Sequence, residues 1–63
     1  MSAELTAQIA CVQREIGMRA RVYPAWVAKK KMSQEKADAE IATMTAVLAT
    51  LQAVADGTEE RQS

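Results

Sequence analysis

The stretch "RVYPAWVAKKKMSQEKA", residues 21–37, decides the fold. Up to Trp26 it continues a helical pattern. A run of three lysines and Met32 follows, and then Ser33 opens a second pattern. Ser33 is a good N-cap, because its hydroxyl can accept from the free amides of the next turn. Met32 just before it can pack on Ala37 as a hydrophobic staple. "KMS" therefore reads as the whole connection, and a connection that short makes two helices antiparallel neighbours.

Working outward, Leu5, Ile9, Val12 and Ile16 step by four, three and four, which draws one stripe down a helix. The same step leads on to Arg19, Tyr23 and Trp26. On the other side of the turn, Ala37, Ile41, Met44, Leu48, Leu51 and Ala55 repeat the alternation, and Val47 and Val54 widen the stripe. Alanine, Glu, Gln, Met and Leu dominate, and there is no Phe, which is helical composition. Ser2 is the candidate first N-cap, and Gly57 fits the left-handed position that stops a helix. The expectation is an all-α antiparallel two-helix hairpin over residues 1–57. Helix 1 spans about 3–30 and helix 2 about 34–56, followed by a polar, fraying tail at 58–63.

Pro24 interrupts the first helix. It has no amide hydrogen to offer the Ala20 carbonyl, and its ring presses on the preceding turn. The expectation is a kink, or a break and restart with Pro24 in the first turn. Two readings stand for the aromatics beside it. Tyr23 and Trp26 either plug the closed end of the hairpin over Ala37 and Ile41, or turn outward as flat surfaces on which a base stacks.

A 63-residue chain is at most one domain and buries a small core. Such chains usually need disulfides, a metal or a partner subunit. Cys11 is the only cysteine, so no disulfide forms within the chain. With no His and a single thiol, a metal site and a cofactor are not expected. Self-association remains. Cys11, Met18 and Val22 form a second apolar ridge that one hairpin cannot cover, which predicts a homo-oligomeric helical bundle, in its simplest form a four-helix dimer. On that ridge Cys11 is expected to behave as a small buried hydrophobe.

Net charge is zero but uneven. Arg14 to Lys31 holds six basic residues and one acid, and Glu35 to Glu60 holds six acids and only Lys36 as a base. No apolar run is long enough for a membrane, and no signal-peptide pattern opens the chain, so a cytoplasmic protein is expected. Catalysis has no support, because no base lies a helical turn from Cys11 and no glycine-rich phosphate loop exists. Duplex nucleic acid is not an expected partner, since no recognition helix is marked.

The candidate site is the basic zone. Arg14, Gly17 and Arg21 step by three and four and so share a face. Arginine forks match phosphate oxygens. With Arg19 nearby and Tyr23 or Trp26 to stack on a base, these are the components of a nucleotide-like site. Each has a plainer role. Glu15 and Arg19 form an i, i+4 pair, or Arg19 reaches Glu40 on helix 2. Gly17 lets two helices approach, and Lys29, Lys30 and Lys31 favour the helix dipole.

"REIGMRARVYPAWV" (14–27) followed by "KMSQEKADAEIATM" (31–44) resembles a group of small uncharacterised proteins of tailed phages and prophages. In that group an R-x-V-Y-P-x-W/F-V segment precedes a short turn and then A-x-x-E-I-x-x-M. The resemblance covers residues 14–51 and is most specific at Arg21, Val22, Tyr23, Pro24, Trp26 and Val27. Lys30 departs from it, where members of the group often have glycine. The resemblance implies phage origin and a small helical shape. Small accessory phage proteins often act by binding, as counter-defence factors that sequester nucleotide signals or as inhibitors and adaptors of a host protein.

Overall fold

The computed structural model describes residues 2–62, and the side chains of residues 2–57. Helix α1 spans Ala3–Ala28 and helix α2 spans Gln34–Gln62. They pack antiparallel as a hairpin. Both N-caps are serines, as the sequence indicates. The Leu5 amide donates to Ser2 Oγ at 3.0 Å, and the Lys36 amide donates to Ser33 Oγ at 3.1 Å. Each bond satisfies a donor that the helix cannot.

Helix α1 stops two residues before the expected end, for a local reason. The Lys31 amide donates to the Trp26 carbonyl at 2.9 Å, and the Lys30 amide donates to the Val27 carbonyl at 3.0 Å. This pair of bonds closes a helix whose next residue is left-handed. Lys30 holds that position, with φ 60°. A side chain there costs about 1–2 kcal/mol relative to glycine. Lys30→Gly should therefore raise stability by about 1 kcal/mol, read as a later urea midpoint with an unchanged slope. An unchanged midpoint would mean that the turn is held by something other than this geometry.

At the other end α2 runs through Gly57 to Gln62, past the expected stop at Asp56. Gly57 does not adopt positive φ. A helical glycine costs only about 1 kcal/mol against alanine, and the Glu, Arg and Gln that follow are good helix formers.

Helix α1 also passes through Pro24 without interruption, so the break-and-restart alternative is not what forms. The inward stripes are those of the sequence pattern, with two corrections: Val47 and Val54 stay exposed and do not widen the α2 stripe, and Trp26 leaves the α1 stripe. Tyr23, Ala37 and Ala55 are buried at 8%, 3% and 4% exposure, and Leu5, Ile9, Val12, Ile16, Ile41, Met44, Leu48 and Leu51 are half-buried. Trp26 does not continue the stripe. Val27, four residues beyond Tyr23, takes the inward place. At about 100° per residue, a step of four from Tyr23 returns to the inner face, whereas a step of three falls to its side.

The result is a thin layer of 50 × 17 × 11 Å, one helix deep. Its radius of gyration is 14.8 Å, against about 11 Å for a compact domain of this length. Cys11 is exposed, so within one chain it is not the buried hydrophobe its ridge suggested.

Candidate functional site

Arg14, Gly17 and Arg21 do share a face. They sit on the outer side of α1, where with Glu15 and Met18 they bound a shallow hollow of about 620 Å³. A Cβ placed on Gly17 would meet nothing within 4 Å, so packing inside the hairpin does not require glycine there. Among the described residues neither Arg14 nor Arg21 has an ion-pair partner. Both guanidiniums are therefore available to an anion, each with five donors in a planar fork.

Arg19 is in a different state. Its Nη1 meets Glu15 Oε2 at 2.5 Å and also donates to the Glu15 carbonyl at 3.4 Å. The pairing is with Glu15 on the same helix and not with Glu40, which is exposed. The hydrogen bond that Arg19 donates to Glu15 raises the Arg19 pKa above its ordinary value; desolvation opposes this, and the Tyr23 hydroxyl adds to the rise. Arg19 is thus a committed structural cation at any working pH, and a phosphate would have to compete with Glu15 for it.

The aromatics divide. Tyr23 faces inward and is buried, while Trp26 is 43% exposed on the flank of α1. Their ring centroids lie 5.6 Å apart with planes tilted by 37°, within the range of favourable aromatic pairs. Tyr23 thus acts as the core ring, and only Trp26 offers a free face. Trp26 lies well round the helix from Arg21, five residues away. Within a single chain the five residues Arg14, Arg19, Arg21, Tyr23 and Trp26 do not converge on one point.

The sequence pattern did not reveal a groove at the closed end of the hairpin. It encloses about 210 Å³ between Ala20, Tyr23, Pro24 and Val27 on α1 and Ala37, Asp38 and Ile41 on α2. Gln34 Nε2 donates to Asp38 Oδ1 at 2.9 Å along its edge. The clue in the sequence is Ala20 four residues before Pro24, a small residue where the ring needs room, opposite the equally small Ala37. A third, open depression at the turn is lined by Val27, Lys30, Lys31, Met32, Ser33 and Gln34.

No helix among the described residues is long and apolar enough to cross a membrane. Compared with protein-family models, curated proteins and solved structures, the chain matches none.

Proposed function

We propose that this chain is a small, non-enzymatic, phage-type binding protein of the host-cell cytoplasm. It works as a homo-oligomeric helical bundle and holds an anionic, nucleotide-like ligand, in keeping with a counter-defence role by sequestration. Pro24 bends α1 and sets the angle of the half-helix that carries Trp26. The observation that supports this reading is the pair Arg14 and Arg21. Two arginines flank a bare glycine on an exposed face, with no ion-pair partner among the described residues. Phosphate oxygens are the natural acceptors for such forks. Arg19 serves by holding Glu15, an acid that would otherwise repel the same ligand. Trp26 supplies the stacking face, and Tyr23 supports the ring from behind.

Calorimetric titration with a panel of linear and cyclic nucleotides tests this. At least one should bind, and Arg21→Ala should weaken it about 10- to 100-fold, the usual worth of a charged hydrogen bond. No heat with any member of the panel would sink the reading. The second reading is an inhibitor or adaptor that docks on a host protein, and the exposure of Met18, Val47 and Val54 favours it.

A further inference from the structure

Among the described residues the large exposed hydrophobic ones are Met18 at 42%, Trp26 at 43%, Val47 at 41% and Val54 at 51%. They are not scattered. On α1, Cys11, Met18, Val22 and Trp26 are spaced seven, four and four, and lie about 100° round from the inward stripe in one sense. On α2, Val47 and Val54 are spaced seven and lie about 100° round from their own stripe in the same sense. In an antiparallel pair, equal rotation in the same sense brings both ridges to the same side. The closed-end groove confirms the geometry from the other direction. Pro24 and Asp38 each lie on the opposite flank of their helices, and they line one cavity together. The two apolar ridges therefore lie on one broad face of the hairpin, which also carries Glu15 between Cys11 and Met18 and Glu40 seven residues before Val47. Thr50, between Val47 and Val54, gives its hydroxyl to the Ala46 carbonyl at 3.1 Å.

We infer that this face is covered by a second copy of the chain, packed face to face and antiparallel about a two-fold axis near Met18 and Val47. The inference rests on the reading that the chain self-associates, and adds which face is used and in which direction. Area argues for a partner. The chain exposes 4695 Å², whereas a compact 6.9 kDa monomer exposes about 4,000 Å². The excess of about 700 Å² is close to the roughly 800 Å² that each partner buries in a standard interface.

Charge selects the direction. The turn end carries Lys29, Lys30, Lys31 and Lys36 against Glu35 and Asp38, and the open end carries Glu4 and Asp56, with Glu59, Glu60 and Arg61 following in the sequence. End-to-end reversal places the basic end of one copy beside the acidic end of the other, and a parallel pair would set like charges together. The same two-fold sets Trp26 of one copy over the region of Cys11 and Val54 of the other. It also brings Arg14 of one copy to the level of Arg21 of the other, along the outer edge of the seam. The anion site is then built from both copies, and a bound phosphate relieves the repulsion between the facing guanidiniums.

Light scattering and oxidative cross-linking test this on the full chain. The expected mass is that of a dimer at micromolar concentration. In the antiparallel arrangement the two Cys11 residues lie about 21 Å apart along the seam, so mild oxidation of the native dimer should give no disulfide-linked product. Cys11→Ser combined with Met18→Cys should cross-link readily, because position 18 lies beside the axis. A monomer by light scattering overturns both self-association and this face. A dimer that links through Cys11, or fails to link through position 18 while keeping native helicity and mass, overturns the arrangement and leaves self-association standing. The Cys11 measurement needs no substitution, so it stands even where the double variant fails to fold.

Discussion

Tyr23→Ala should unfold the hairpin at room temperature, with loss of the helical circular-dichroism signal and of any cooperative melt. Among the described residues Tyr23 is the only large buried side chain; the other two buried residues are Ala37 and Ala55. Truncating a buried aromatic typically costs about 3–5 kcal/mol. A chain of this size rarely has more than about 3–5 kcal/mol to lose. The ring also holds Trp26 at 5.6 Å and forms one wall of the closed-end groove, so neither neighbour keeps its packing without it. Tyr23→Phe keeps the ring and should stay folded within about 1 kcal/mol, since only the hydroxyl is lost. A Tyr23→Ala protein that melts cooperatively near the wild-type temperature would show that the closed end does not hold the hairpin together.

The hairpin was legible in the sequence because two periodic stripes and a serine cap leave one short connection between them. Along their steps of four and three, the stripes from Leu5 to Tyr23 and from Ala37 to Ala55 needed no correction, since burial follows the 3.6-residue period directly. The errors lie where several local outcomes have similar energies. Gly57 permits a stop but does not enforce one, and α2 runs on to Gln62. Lys30 takes a left-handed angle that a lysine pattern cannot announce. Trp26 and Val27 compete for one inward place, and spacings of three and four are both compatible with a helix. The geometry decides in favour of Val27, which moves one of the two rings out of the core.

The candidate site was legible in its arginines and not in its pairing. Arg14, Gly17 and Arg21 share a face because spacing alone puts them there. That Arg19 belongs to Glu15 and not to Glu40 depends on side-chain reach across or along the helix, which periodicity does not encode. Sequence spacing likewise puts Arg21 and Trp26 close along the chain, but the helix turns them apart. A second chain is the simplest way to bring an aromatic face and a pair of forks to the same ligand.

Pro24→Ala should stabilise the protein. Alanine restores an amide that can donate to the Ala20 carbonyl, and it removes the ring from the preceding turn. An interior proline costs about 3 kcal/mol relative to alanine. For a domain this small, each 1 kcal/mol moves the melting midpoint by about 4–8 °C, so a rise of roughly 12–24 °C is expected. The rise should be measured at fixed protein concentration, because an oligomer melts later when concentrated. Helix α1 is continuous through Pro24 in spite of that cost, so tertiary packing at the closed end already offsets it. The ring lines the groove beside Tyr23, Ala37 and Ile41, and loses that contact in the variant. A midpoint that stays level or falls would mean that the ring's packing outweighs the missing hydrogen bond. The expected rise would instead mark Pro24 as a residue retained at the expense of stability, and direct attention to what lies beside it: the groove that its ring lines and the exposed Trp26.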